Sequence, residues 1–481
     1  MNIVDPILFQ SEIQPKAAAL CAPGSAIGLI SYGRLVQFIH NIARHIRKLG
    51  LAPGQIVAVS ITDEIFHAAV ILALARLNIA SVSGYDGRNR VAFKIDAVIA
   101  DAPTAFANAP QLFLADLSWT RGDGTPLAPN EYPQLAPTDL CRIVLTSGST
   151  GGPKAVALGH AILGARVAHR ALIFASAALD CLRVYCDLPI STGVGYHVLL
   201  STLWRGGTFV FPGETFEVTA DAFEEYRVQS CVVSTGGLEL MLQGYERYPS
   251  LQSELELVIA TGDVFAKPLS DRVRARLCSH VVTFYGSTEA GATATAPVQL
   301  VSETMGAVGV VVPYVTVEIR NEAGVSLPLG EEGLIAIKTP IAVDRYMGDV
   351  EATTRSFRGG WFLPGDIGTL DARNVLRLTG RRDALINLGG DKINPERIEA
   401  VLAGCEGLKE CAVFGAPNAL GILELWVAVV ADPKLQDDQL RAYCGSNLRL
   451  TTVPAGFVRV ERLPRNQMGK IERSRLPELR R

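Results

Sequence analysis

The sequence predicts an α/β protein in two parts. The first is a large N-terminal region of several subdomains with β-sheets and a small barrel; the second is a small C-terminal α/β domain. Three observations point there. Apolar residues switch repeatedly between strand-like runs and helical spacing. A short strand at Arg142-Ile143-Val144-Leu145 runs straight into a loop of small and hydroxylated residues. After Arg381 the alternation resumes on a smaller scale. A chain of 481 residues exceeds one ordinary core, and 48% hydrophobic with 19% charged residues is globular rather than disordered composition.

The elements follow in order. Leu35, Phe38, Ile39, Ile42, Ala43, Ile46 and Leu49 recur at helical spacing over 33–50, and Gly50 ends that helix. Ile56-Val57-Ala58-Val59 reads as a strand and 64–77 as a helix. The stretch 87–139 is rich in Ala, Pro, Asp and Asn and shows no clear period. A helix is expected from about 159, and strands at Thr208–Phe211, Ser230–Ser234, Leu257–Ala260, Val281–Phe284 and Val315–Ile319. Gly333–Ile337 and Val375–Leu378 suit the barrel. In the small domain, Pro395–Leu402 is a helix with proline in its first turn. Cys411–Phe414, Leu425–Val430 and Gly456–Val460 are its strands.

Composition excludes several classes. The formal charge is −3 and no long Lys/Arg run exists, which argues against a nucleic-acid partner. Nine scattered cysteines make no CxxC pair, so reduced, buried thiols are expected rather than a zinc or redox site. No apolar run approaches the ~20 residues of a membrane span. Met1-Asn2-Ile3-Val4-Asp5-Pro6 lacks the features of a signal peptide, so the expected location is the cytoplasm.

The strongest local signal is Thr146-Ser147-Gly148-Ser149-Thr150-Gly151-Gly152-Pro153-Lys154. Small residues let backbone N–H groups approach an anion, hydroxyls add donors, and Lys154 adds charge, which suits polyphosphate. The Gly and Lys spacing is not that of a Walker A loop, and proline precedes the lysine.

Four further blocks follow: Tyr285-Gly286-Ser287-Thr288-Glu289, Gly360-Trp361-Phe362-Leu363-Pro364-Gly365-Asp366, Gly380-Arg381-Arg382-Asp383, and Asn466-Gln467-Met468-Gly469-Lys470-Ile471-Glu472-Arg473. With the loop at 146–154, these resemble, in order, the motifs of the adenylate-forming superfamily, closest in pattern to acyl-CoA synthetases. Ala155 stands where the family usually has Gly. The resemblance implies ATP-dependent activation of a carboxylic acid as an acyl-adenylate, then thioester formation with coenzyme A. The alternative acceptor is the phosphopantetheine of an acyl carrier protein.

The resemblance also implies roles. Thr146, Ser147, Gly148, Ser149, Thr150, Gly151 and Lys154 would cradle phosphates, and Tyr285, Gly286, Ser287, Gly262 and Asp263 would flank adenine. Asp366 would accept ribose hydroxyls, with Arg381 on ribose or phosphate. Thr288 would bond the α-phosphate, while Glu289 with Thr150 would hold Mg²⁺. Lys470 would bridge substrate carboxylate and α-phosphate as charge develops. Domains 1–382 and 383–481 would meet at a hinge, Asp383, about which the smaller one moves. Gly389 and Gly390, in Gly389-Gly390-Asp391-Lys392-Ile393-Asn394, would form the passage for the thiol.

Two departures bear on the acid. Pro189-Ile190-Ser191-Thr192-Gly193-Val194-Gly195-Tyr196-His197 has Thr192 where relatives carry an aromatic residue or histidine, and His197 comes later. The stretch 87–139 is also shorter than in most relatives. No aspartate sits where amino-acid-activating relatives hold the amine, so fatty, aryl and short organic acids stay open. A non-catalytic binding protein is disfavoured because the chemically active motif side chains are present, and nothing argues for a luciferase-like oxidation.

Overall fold

The computed structural model describes the chain except for residues 86–90, 103–110, 147–152, 175–180, 249, 263–264, 266, 305, 389–390, 419–422, 449–452, 467–468 and 481, and the side chains at 383, 387, 388, 391 and 392. The chain opens with α1 (Asp5–Ile13), β1 (Ala18–Cys21), β2 (Leu29–Ser31) and α2 (Tyr32–Lys48). Then come β3 (Ile56–Ser60), α3 (Glu64–Arg76), β4 (Ala80–Ser83), β5 (Ala97–Ala100), β6 (Leu112–Leu114), β7 (Leu140–Thr146), β8 (Lys154–Gly159) and α4 (His160–Ile173).

Local chemistry explains the helices. Ser31 caps α2 by accepting the Arg34 amide, and His45, Arg47 and Lys48 suit its negative C-terminal end. Asp63 caps α3 through the Phe66 amide. Every residue of α3 from Ile65 to Ala75 is buried, as expected of a helix apolar on all faces. Among the described residues, six strands pair in the order β6-β5-β3-β4-β7-β8, parallel except for the β7–β8 hairpin. The described residues of the stretch 87–139 thus contribute two strands, of 4 and 3 residues, too short to show an alternating pattern in the sequence.

A second, larger sheet begins with β9 (Arg183–Cys186), α5 (Gly193–Trp204), β10 (Thr208–Val210), α6 (Phe216–Glu225), β11 (Ser230–Ser234), α7 (Thr235–Arg247), β12 (Leu257–Thr261), α8 (Lys267–Arg276) and β13 (Val281–Ser287). Strands β1, β10, β9, β11, β12 and β13 run parallel in that order. The sheet continues antiparallel through β14 (Gly291–Pro297), β15 (Ala307–Val311), β16 (Thr316–Arg320), β17 (Gly333–Lys338), β18 (Phe357–Arg358), β19 (Trp361–Phe362), β20 (Asp366–Leu370) and β21 (Val375–Arg381). This is where the sequence suggested a barrel. The strands enclose their own core of Val317, Ile319, Ile335, Ile337, Phe362 and Leu376. Their ladder is continuous with the parallel strands through β13–β14.

The C-terminal part comprises the hairpin β22 (Ile386–Leu388) and β23 (Asp391–Ile393), α9 (Pro395–Leu402), β24 (Leu408–Pro417), β25 (Leu423–Ala431), α10 (Asp437–Asn447) and β26 (Gly456–Arg459). Asn394 caps α9 through the Glu396 amide, with Pro395 in the first turn. Ile398, Leu402, Val413, Val427, Val429 and Leu440 form a separate core. Arg473 forks onto both oxygens of Glu399, at 2.6 and 2.7 Å, and ties the final segment to α9. No helix among the described residues is long and apolar enough to cross a membrane.

Candidate active site

Strands β11, β12 and β13 are parallel, so Ser234, Thr261 and Ser287 end on one rim of the large sheet. Carboxyl ends of parallel strands are where open α/β sheets bind ligands. The turn Thr288-Glu289 follows directly. A single guanidinium holds its backbone: Arg166 of α4 donates to the carbonyls of Thr288 at 2.7 Å, Glu289 at 2.7 Å and Ile341 at 3.0 Å. Five donors on one rigid plane make arginine suited to gather several carbonyls. Burial lowers the Arg166 pKa to about 10, which leaves it charged at neutral pH.

The Glu289 carboxylate is 7% exposed and accepts the Tyr346 hydroxyl at 2.7 Å. Burial, with the Glu289 charge beside it, keeps that hydroxyl protonated. Lys154 stands over the face of the same tyrosine at 5.0 Å. The lysine that closes the expected phosphate loop and the expected metal-binding carboxylate therefore share one neighbour. Thr146 pairs with Lys154 across the β7–β8 hairpin, and its hydroxyl donates to the Lys154 carbonyl at 3.3 Å.

A second group lies beside the first. Asp366 and Arg381 are register partners on β20 and β21, and Arg381 Nη1 donates to Asp366 Oδ1 at 3.0 Å. The Tyr285 hydroxyl donates to Asp366 Oδ2. Burial first, then the Asp366 charge, raises the Tyr285 pKa well above the ordinary range, and Glu289 adds to it. Arg381 in turn acts on Tyr346. The two groups feel one another's charge and form one site.

The turn before α5 closes one wall. Thr192 is a helix cap: it accepts the Gly195 amide at 3.1 Å and donates to the Pro189 carbonyl at 2.7 Å. A Cβ on Gly193 would lie 2.9 Å from Thr288 Oγ1, so this turn packs directly on the site. His197 donates from Nδ1 to the Gly193 carbonyl at 2.6 Å. Burial, then the Arg166 charge, lowers its pKa to about 3, so its buried Nε2 carries a lone pair and has no partner among the described residues.

Lys470 is exposed and sits on a tight turn. The Lys470 amide donates to Asn466 Oδ1 at 3.0 Å, and the Asn466 amide donates to the Lys470 carbonyl at 2.9 Å. Gly469 has φ +74°, and a Cβ there would lie 3.5 Å from Ser234 Oγ, so the lysine-bearing turn rests on the same rim. Gly262 follows β12 at φ +105°, and Gly286 lies on β13. Ser147, Gly148, Ser149, Thr150, Gly151, Asp263, Gly389 and Gly390 lie outside the described residues. Asp383 lies on the short turn Arg382–Ala384, with its side chain undescribed.

Sequence reasoning missed Arg166, Tyr346 and Arg142. Arg166 stands next to Val167 and three residues after Leu163 on the buried face of α4, and a cation in an apolar stripe was the available signal. Arg142 is fully buried on β7 and donates to Ser81 Oγ at 3.0 Å and the Ile190 carbonyl at 2.9 Å, which steadies the turn before α5. Tyr346 had no local signal, because its partner Glu289 lies 57 residues away.

Comparison with known proteins shows the family. Residues 9–347 match the family model described as AMP-binding enzyme, and residues 397–470 match the AMP-binding enzyme C-terminal domain. The chain belongs to the AMP-binding enzyme family. Curated relatives of this AMP-binding enzyme include CoA ligases that match over nearly the whole length. A feruloyl-CoA synthase from Amycolatopsis sp is 28% identical, covering 96% of each chain. A 4-chlorobenzoate–CoA ligase from Arthrobacter sp is 26% identical, covering 98% of this chain and 94% of its own. Among solved structures, o-succinylbenzoate coenzyme A synthetase from Bacillus subtilis in complex with AMP superposes with a TM-score of 0.83 at 20% identity, covering 98% of both chains. The same synthetase with ATP and magnesium ion gives 0.83. At that identity the likeness establishes the shared fold.

Proposed function

We propose that this enzyme joins a carboxylic acid to the thiol of coenzyme A through an acyl-adenylate, consuming ATP. The observation that carries the reading is the convergence of Glu289, Lys154, Asp366 and Arg381 on one sheet rim, with the Lys470 turn resting on it. Asp366 accepts the ribose hydroxyls, Arg381 contacts ribose or phosphate, and Tyr285 with Gly286, Ser287, Gly262 and Asp263 flanks the adenine. Residues 146–151 with Lys154 hold the phosphates, and Thr288 donates to the α-phosphate. Glu289 Oε1 is engaged by Tyr346, and Oε2 offers a hard oxygen for Mg²⁺ alongside the Thr150 hydroxyl. One carboxylate with substrate phosphates and waters is a usual Mg²⁺ environment. When bound there, Mg²⁺ would supply positive charge against the phosphate oxygens.

In the first step a carboxylate oxygen attacks the α-phosphorus and pyrophosphate leaves. Lys470 supplies fixed positive charge where negative charge grows. In the second step the thiol sulfur attacks the acyl carbonyl and AMP departs with the bonding pair. The domain of residues 383–481 turns about Asp383 against residues 1–382 between the steps, exchanging the Lys470 turn for the Gly389-Gly390 passage. The enzyme works in the cytoplasm.

The test is a pyrophosphate-release screen across organic acids, with AMP release followed with and without coenzyme A. Acid-dependent pyrophosphate release and coenzyme A-dependent AMP release are expected. Release that no acid stimulates overturns the reading. AMP release that responds to an acyl carrier protein and not to coenzyme A overturns the acceptor.

A further inference from the structure

The large sheet reverses its winding between β9 and β11. From β9 the chain passes through α5 to β10 on one side, and β11 then pairs on the other side of β9. Helices α5 and α7 accordingly cover opposite faces. Val198 and Leu199 of α5 share a core with Cys186, while Leu238 and Met241 of α7 pack with Tyr185 and Val233. Carboxyl ends of parallel strands at such a reversal border the crevice where open α/β sheets bind their ligands. Asp187 is the residue directly after β9, so it stands at this reversal.

Asp187 holds one neighbour at two points. Its Oδ1 accepts the Ser234 amide at 3.1 Å, and its Oδ2 accepts the Ser234 hydroxyl at 3.0 Å. The same hydroxyl accepts the Gly237 amide at 3.0 Å and so caps α7. Its proton is thus directed at Asp187 and a lone pair at Gly237. Gly237 has to lack a side chain, since a Cβ there would overlap Asp187 Oδ2. Burial pushes the Asp187 carboxyl up to about 6, against the two bonds from Ser234, and leaves it mostly charged at neutral pH. Bonds to a charged acceptor are the strong ones. Tyr185 and Cys186 on β9 and Cys231 on β11 feel this charge, and burial keeps all three protonated. The first turn of α7, Thr235-Gly236-Gly237, has no titratable side chain. The turn that rests on Ser234 carries Arg465, Lys470 and Glu472.

We propose that Asp187 is a positioning residue for adenylation: by fixing Ser234 it sets the seat on which the Lys470 turn lands. The inference rests on the two-step reading above and adds to it a residue that none of the five motifs contains. A Cβ on Gly469 would lie 3.5 Å from Ser234 Oγ and 3.7 Å from Ser234 Cβ, which places the residue before Lys470 beside this side chain. A reacting group displaced by a fraction of its bonding distance loses much of its effect, so a loosened Ser234 lowers the rate of the first step. Once the small domain has turned away, the thioester step does not use the seat.

The test uses the full-length enzyme, with an acid found in the screen above, and the variants Asp187→Ala, Asp187→Asn and Ser234→Ala. Asp187→Ala should lower kcat for acid-dependent pyrophosphate release at least ~10-fold, and lower thioester formation from a supplied acyl-adenylate far less. Asp187→Asn keeps one acceptor oxygen and should recover part of the loss. Adding Ser234→Ala to Asp187→Ala should cost little more, because both remove the same bond. From pH 7.5 to pH 5 the advantage of the wild type over Asp187→Asn in pyrophosphate release should shrink, since the carboxyl becomes neutral as the amide already is. ATP binding by each variant reports that it has folded; should Asp187→Ala fail to fold, Asp187→Asn and Ser234→Ala carry the test. Equal losses in both half-reactions, or no loss in either, overturn this inference alone, as does an advantage over Asp187→Asn that stays constant with pH. If no acid stimulates pyrophosphate release from the wild type, the acid-activating reading falls and this inference with it.

Discussion

Lys470 owes its position to the turn beneath it rather than to any bond described for its amine. Asn466 closes that turn from both sides, Arg465 donates to the Gly469 carbonyl at 2.7 Å, and Gly469 takes φ +74°. Gly469 also leaves space against Ser234 that a larger residue would fill. A side chain delivered this way can enter and leave the site without breaking a described bond of its own. Lys470→Ala should therefore lower acid-dependent pyrophosphate release by ~10²–10³-fold, as for the loss of one preorganised charge partner. Thioester formation from a supplied acyl-adenylate should persist. Equal losses in both half-reactions would show that the lysine serves more than adenylation. The identity of Lys470 was readable from its motif. The approach of the neighbouring Gly469 to Ser234 was not, because the two are far apart in sequence.

At the scale of elements, α4 does more than cover the sheet. Its buried face carries Leu163 and Val167, and between them Arg166 bonds three carbonyls from two separate segments. The helix was predicted from about 159 and runs from His160 to Ile173. Its role in fixing the Thr288-Glu289 turn came only with the fold. Arg166→Met would leave buried carbonyls without donors and should destabilise the protein by about 2–4 kcal/mol. Arg166→Lys should recover part of this, since one ammonium cannot span three carbonyls in a plane. Denaturant midpoints for the two variants and the wild type provide the measurement, and unchanged midpoints would rule the clamp out. Elements with a long period were legible, as α2, α3 and α9 show. The strands β5 and β6 were not, because 4 and 3 residues give too few alternations to read.

At the scale of the whole molecule, the segment preceding α1 meets the start of α4 through His160, whose Nδ1 accepts the Ile3 amide at 3.2 Å. That bond requires a neutral ring. Burial lowers the His160 pKa from 6.5 to about 4, against the weaker pull of Asp139 and Asp5 and with a small push from the N-terminal amine. The unfolded chain takes up a proton below about pH 6.5 while the folded chain does not, so this histidine's contribution to stability is full above that pH and falls on acidification toward 4. His160→Gln removes the titration. The stability gap between wild type and His160→Gln should therefore narrow by about 2 kcal/mol from pH 7.5 to pH 5, measured by urea unfolding. A gap constant across that range would show that the ring titrates normally.

The order of the proposed chemistry was already legible in the chain: five motifs hold the residue types that the proposed phosphate, ribose, metal and lysine roles call for, and their composition and spacing can be read without knowledge of the fold. The sequence also determined the α/β class, because helical and strand periods are local properties of side-chain direction. The tertiary structure alone decided which groups meet. Tyr346 reaches Glu289 across 57 residues, Arg166 reaches Glu289 across 123, and Tyr285 reaches Asp366 across 81. It also set Asp187 against Ser234 across 47 residues. Such pairings depend on strand order and helix packing, and a local pattern carries no information about a partner brought in by a distant turn of the chain.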